Sequence, residues 1–239
     1  MTFVLAQVPE GFYRDRSESD TGCVANNGVC PDWIVDNLDR YVDPFLEHVW
    51  LVVASVACGL LIAFPLAVLA YRRRWLIAPV ANITGILYTI PSVAAFFLLL
   101  PITGRGALTA IVALTAYTLL ILFRNVLEGL DAVPDEARDA GRGMGLTDGQ
   151  LLWRVELPLA LPSIMAGLRI ATTTTVGLAA LAFFAGAGGL GEPLEADKAF
   201  KSNVLVAGGL CVVLATALDL IILGAQRMMT PWTRSRAAS

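Results

Sequence analysis

Residues 124–161 read RNVLEGLDAVPDEARDAGRGMGLTDGQLLWRVELPLAL, and this stretch decides how the chain is organised. It is too charged to cross a bilayer and too patterned to be a flexible linker. Pro134 suits the first turn of a helix, and Asp135 and Glu136 suit the positive end of its dipole. That helix is predicted to run to Met144, where Gly145 supplies the left-handed residue that ends it. Thr147 and Gln150 form a Thr-x-x-Gln capping box that opens a second helix, with Leu151, Leu152 and Val155 on its apolar side and Trp153 nearby. Pro158 is expected to end it. The expectation is two short helices set at an angle and hinged on glycine. They could lie on lipid headgroups as an amphipathic hairpin. Headgroup-binding helices favour Lys and Arg, however, and the richness in Asp and Glu here points to a protein partner.

Outside this stretch the chain is apolar. Of its 239 residues 56% are hydrophobic and 15% charged, against about 25% charged in an average soluble domain. The charges cluster between long apolar runs, and no basic tract suited to nucleic acid is present. A spanning helix needs about 20 apolar residues. Five segments qualify: His48–Ala70, Ala78–Leu100, Gly106–Phe123, Pro162–Ala185 and Val204–Ala225. Pro65 and Pro91 are expected to kink two of them. The loop with Arg72, Arg73 and Arg74, the 124–161 stretch and the tail with Arg227, Arg234 and Arg236 fall on one side and carry ten of the seventeen basic residues. The positive-inside rule makes that side cytoplasmic, with the N-terminus outside and the C-terminus inside. The predicted organisation is an extracytoplasmic segment 1–47, a membrane domain 48–227 and a cytoplasmic tail 228–239. An odd number of spans disfavours two internal repeats and suits a half-transporter that dimerises.

The N-terminus lacks the charged region and apolar core of a secretory signal. Cys23 and Cys30 fall in the outside segment, in a compartment that permits a disulfide between them; two free thiols are the alternative. Their spacing does not make a metal site. Cys58 and Cys211, within spans, read as small apolar packing residues. No nucleophile–base set, cofactor site or nucleotide site is visible, so the chain reads as a non-catalytic protein whose energy comes from another subunit.

The 124–161 stretch carries a resemblance to a known family. Permease subunits of binding-protein-dependent ATP-driven (ABC) importers are marked by Glu-Ala-Ala, three residues, Gly, nine residues, Ile, one residue, Leu-Pro. This chain has Asp139-Ala140-Gly141, then Gly145, Val155 and Leu157-Pro158 at the same spacing. Asp139 keeps the charge and Val155 the apolar branch; Gly141 lowers helix propensity by about 1 kcal/mol relative to Ala and would loosen the first helix. The resemblance implies an all-α membrane protein with the type I importer permease fold. It implies that the 134–158 loop couples to an ATPase, with Asp139, Ala140 and Gly145 shaping it and Leu146–Val155, including Thr147, Gln150, Leu151, Leu152 and Trp153, in contact. The implied partners are two ATPase subunits inside, a second permease, a solute-binding protein outside and the bilayer of the cell membrane. Stretches resembling the osmoprotectant branch (glycine betaine, choline, carnitine) are Tyr88-Thr89-Ile90-Pro91-Ser92, VELPLALPSIMAGLRIATTTTVGLAALAFFAGAGGLGEPL and ALDLIILGAQRMMTP, and the resemblance as a whole extends from about Trp50 to Pro231. A methionine-type importer and a stand-alone secondary transporter remain as alternatives.

Several residues invite individual readings. Arg169, about 10 Å into the fourth span, and Asp219, at similar depth in the fifth, would either pair across the helices as a gate or scaffold, or snorkel separately. Thr172–Thr175 would line a polar path, with Thr172 and Thr173 as pore candidates alongside Tyr88 and Pro91, or bond back to their own helix. Gly186, Gly188, Gly189 and Gly191 lack the Lys-Ser/Thr ending of a phosphate loop and read as a tight or re-entrant outer loop facing the binding protein. His48 reads as an interfacial residue.

Overall fold

The computed structural model describes residues 22–231. The stretch 1–21 with Arg14 and Arg16, and residues 232–239 with Arg234 and Arg236, lie outside the described residues. Ten α-helices follow one another: α1 (Pro31–Asp36), α2 (Val42–Arg72), α3 (Ile77–Thr89), α4 (Ser92–Thr103), α5 (Ala107–Asp131), α6 (Asp135–Gly143), α7 (Asp148–Leu151), α8 (Leu157–Ala179), α9 (Gly191–Ala196) and α10 (Lys201–Met229), with no strand among the described residues. Four continuous helical stretches are long and apolar enough to cross a membrane, and α3 with α4 forms a fifth candidate that is bent by 98°.

The second predicted span is therefore broken rather than kinked. Pro91 explains the break: its ring disfavours helical backbone at the preceding residue, and Ile90 sits extended at ψ 127°. An ion pair decides whether this broken pair crosses or turns back. Arg74, just after α2, meets Asp131 at the end of α5 with N···O 2.7 Å, so both lie on one side of the membrane. The chain between them must cross an even number of times. Helix α5 is one crossing, so α3 and α4 together supply the other, and the chain has five crossings. Pro65, by contrast, sits inside an uninterrupted α2.

Helix α5 runs eight residues beyond the predicted Phe123, because Val126, Leu127 and Leu130 continue its buried face while Arg124, Glu128 and Asp131 take the other side. The fourth span also starts early. Neither Pro158 nor Pro162 breaks it: α7, a π-helical turn at Leu152–Glu156 and α8 form one helix, Asp148–Ala179. The π turn, closed by the Leu157 N–H donating to the Leu152 carbonyl, widens the helix just ahead of Pro158, whose ring would otherwise meet the carbonyl one turn back.

Two compact bodies are built from alternating parts of the chain. The first comprises residues up to Ser55, Pro91–Leu114 and Thr175–Thr216; the second comprises Val56–Ile90, Thr115–Thr174 and the chain from Ala217. In the second body Ala63, Ala67 and Ala70 of α2 are fully buried against Leu122, Phe123, Val126 and Leu130 of α5. Gly59 belongs to the same small face: a Cβ there would lie 1.8 Å from the Thr118 hydroxyl. Small residues let spanning helices approach closely where lipid removes the hydrophobic drive for association.

In the first body the N-terminal segment packs on the start of α10. Cys23 and Cys30 are bridged. The Cys30 N–H donates to Ser202 Oγ at 2.8 Å, Tyr41 Oη donates to Asn203 Oδ1 at 2.5 Å, and Trp33 meets Phe200 edge-on with centroids 4.7 Å apart. His48 is not interfacial but fully buried. Its Nδ1 accepts from the Leu190 N–H at 3.2 Å, which leaves Nε2 to donate to the Val176 carbonyl at 3.0 Å. The ring thereby ties α2 to the end of α8 and to the glycine-rich loop. Cys58 is exposed on α2 rather than packed.

Candidate coupling loop and intramembrane ion pair

The 134–158 loop begins where Pro134 caps α6 in extended conformation. Helix α6 closes with a complete Schellman arrangement. Gly145 has φ +79°, its N–H donates to the Arg142 carbonyl at 2.9 Å, and the Leu146 N–H donates to the Gly141 carbonyl at 3.2 Å. Both halves of the Thr147–Gln150 capping box are made, and they start α7.

Gly141 lies within α6 and receives α7. A Cβ at position 141 would lie 2.6 Å from Leu151 Cδ1 and within contact of Leu146 and Val155. The predicted contact set therefore divides in two. Leu151, Leu152 and Leu157 are buried within the second body, and Val155 and Pro158 are half-buried, so this apolar face is internal. Asp139, Ala140, Gly145, Thr147 and Gln150 are exposed, and Met144 projects with 74% of its surface free. Trp153 is exposed on the opposite flank, where it lines an apolar groove of about 490 Å³ with Phe64, Leu157, Pro158, Leu161, Ile164 and Met229.

Sequence reasoning missed the polar anchor of this loop. Glu156 is buried, and its Oε1 accepts from Tyr71 Oη at 2.8 Å and from Arg138 Nε at 3.1 Å. The same guanidinium donates to Asp135 Oδ1 at 2.6 Å and to the Leu130 carbonyl at 2.9 Å. A signal was present: a lone carboxylate within the apolar run LLWRVELPLALP needs a buried cation, and Arg138 is near at hand in the sequence.

Arg169 and Asp219 are brought together as a bidentate pair, Nε to Oδ1 and Nη2 to Oδ2, both 2.7 Å. Because α8 begins at Leu157, Arg169 lies about 18 Å along that helix from its start. Thr172 and Thr173 donate to the Leu168 and Arg169 carbonyls at 2.8 and 3.0 Å, so both hydroxyls bond back to their own helix. Tyr88 stacks edge-on with Tyr117, centroids 5.9 Å apart, and the Tyr117 hydroxyl donates to the Ile90 carbonyl at the Pro91 break.

The glycine-rich loop is a 3₁₀ turn at Ala182–Ala185, a turn with Gly186, Gly188 and Gly189 at positive φ, and the short α9. Gly191 is required by proximity: a Cβ there would lie 1.7 Å from the Ala180 carbonyl oxygen. Glu47 Oε2 accepts from the Gly189 N–H at 3.1 Å. Burial, and then the negative charge of Glu47, push the carboxyl of Glu192 above its ordinary value. Among the described residues no cluster of three or more His, Cys, Asp or Glu could hold a metal ion.

This constellation defines a permease: helices able to cross a membrane, a two-helix loop on the Arg-rich side and an ion pair joining two of the long helices. Residues 55–235 match the family of the binding-protein-dependent transport system inner membrane component, and the chain belongs to that family. It is 38% identical to the osmoprotectant import permease protein OsmW of Salmonella typhimurium, over 83% of this chain and 96% of that one. It is 35% identical to the choline transport system permease protein OpuBB of Bacillus subtilis, over 77% of this chain and 86% of that one. Among solved structures, the inward-facing MetNI methionine ABC transporter superposes with a TM-score of 0.68 at 27% identity, covering 84% of this chain and 98% of that one. The protein is thus a type I ABC importer permease, a non-catalytic membrane subunit that works with an ATPase and a substrate-binding protein.

Proposed function

We propose that this permease imports osmoprotectants of the quaternary amine class, such as glycine betaine, choline or carnitine. The observation that carries the reading is the 38% identity to an osmoprotectant permease along nearly that protein's whole length. The identity to the methionine transporter, 27%, is lower. Two ATPase subunits bind inside, and a second permease, identical or paralogous, completes the pore. A separate binding protein delivers the solute from outside, holding its quaternary ammonium group by cation–π attraction.

Within this scheme the ATPase-facing surface is the exposed tip from Met144 to Gln150. Leu151, Leu152 and Val155 shape the loop from inside. Arg169 and Asp219 hold the cytoplasmic half of the permeation path, and the glycine-rich loop faces the binding protein.

The test is ATP hydrolysis in proteoliposomes holding this chain with the ATPase and binding protein encoded beside it. Glycine betaine, choline, carnitine and methionine are added in turn. Stimulation by a quaternary amine is expected. Stimulation by methionine alone would keep the class and overturn the substrate.

A further inference from the structure

The coupling loop meets the rest of the second body through two kinds of contact. One is apolar, with Leu151 seated on Gly141 and Leu152 in the core beside Leu130 and Val133. Apolar contacts are non-directional, so they hold the two surfaces together without the angular constraint of a hydrogen bond. The other is the buried polar knot at Glu156. The Glu156 side chain is 7% exposed and that of its partner Arg138 is 14% exposed. Charge-assisted hydrogen bonds in such surroundings are strong and directional, and removing one partner strands the other. The knot cannot slide without breaking.

Its connections run to specific places. Glu156 is the last residue of the π turn between α7 and α8 and is held by Tyr71, in the last turn of α2. Arg138 belongs to α6 and donates to the Leu130 carbonyl, in the last turn of α5, where helix carbonyls lack partners and a cation is favoured. The Arg138–Glu156 pair joins α6 to the π turn. Four helical segments are thus pinned to one carboxylate and one guanidinium, and the end of α2 is brought to them from 85 residues away. A π turn marks a place where a helix departs from regular hydrogen bonding, often for function.

We infer that Glu156 is a positioning residue for energy coupling: with Tyr71 and Arg138 it fixes the coupling loop to the cytoplasmic ends of α2 and α5, so that movement of the ATPase is transmitted to the spanning helices and not absorbed in the loop. The inference rests on the proposed docking of this loop to an ATPase. It differs from a purely structural role in one readout, the number of ATP molecules hydrolysed per solute imported.

The experiment uses the assembled transporter in proteoliposomes, with Tyr71→Phe and Glu156→Gln. Tyr71→Phe removes one donor and keeps the ring. The variant assembles, hydrolyses ATP without solute at the wild-type rate, and spends about fivefold more ATP per solute, the change expected for one lost net hydrogen bond. Glu156→Gln, which loses the charge opposite Arg138, gives a larger rise. Wild-type ATP-to-solute ratios in the assembled Tyr71→Phe transporter would overturn the inference, even if its melting temperature fell. If Glu156→Gln fails to assemble, Tyr71→Phe still decides. Failure of the wild-type assembly to import any solute at the expense of ATP would instead overturn the function on which the inference stands.

Discussion

Met144 and Leu151 stand on opposite surfaces of the coupling loop, one with 74% of its surface exposed and the other with 3%. Truncating Leu151 to Ala empties the space above Gly141 and costs about 2–5 kcal/mol, the range for a buried leucine. Truncating Met144 to Ala changes stability by less than about 0.5 kcal/mol, as at other exposed sites, yet lowers solute-stimulated ATP hydrolysis. Thermal unfolding in detergent, read beside ATPase activity, separates the two; equal loss of stability in both would contradict the division. Glu192 offers a test by pH. Its carboxyl is raised above the ordinary 4.5, so folding favours the protonated form. Stability falls as pH climbs from 4.5 through the raised value and stays reduced above it. Glu192→Gln should melt higher than the wild type at neutral pH, and the gain should vanish once the pH is well below the carboxylate range. Local chemistry was legible at this scale: Gly145, Thr147 and Gln150 act within a few residues of themselves, and the sequence spacing identifies them. His48 was not, because Val176 lies 128 residues away and no local pattern announces such a distance; at Glu156 the lone carboxylate is visible, but Tyr71, 85 residues away, is not.

At the scale of elements, the spans were found and their ends were not. Apolar length predicts a crossing, but α5 and α10 continue past the apolar run, because a helix needs only one buried face once it leaves the membrane. The prolines show the limit of single-residue rules. Pro91 breaks its span completely, Pro65 sits inside α2, and Pro158 is absorbed by a π turn that a sequence does not display. The Arg169–Asp219 pair joins α8 to α10, and its fork-to-fork geometry sets its test. Arg169→Ala strands a carboxylate and lowers both assembly and import. The exchange Arg169→Asp with Asp219→Arg restores the pair in reverse and should recover assembly, measured by gel filtration of the extracted complex. Recovery of assembly without import marks the pair as a gate; recovery of both marks it as scaffold; recovery of neither would contradict a direct pairwise role.

For the whole molecule, apolar length predicted five crossings and charge placement their orientation, and the Arg74–Asp131 contact is consistent with the broken α3–α4 pair being one of the five. The apolar surface is far from satisfied within one chain. In the most apolar part of α10 only 17% is buried, against 39–44% in the other continuous spans, so this helix faces lipid or another subunit. Composition alone made the chain a membrane protein, but the spacing around Asp139, Gly145 and Pro158, with the odd number of spans, distinguished an ATP-driven permease from a self-sufficient carrier. The most direct measurement is therefore uptake of labelled glycine betaine into proteoliposomes holding the full assembly, with ATP either enclosed with the ATPase or withheld while an ion gradient is imposed. The account predicts accumulation against a gradient only with ATP. Accumulation driven by the ion gradient, by this chain without any ATPase, would contradict it.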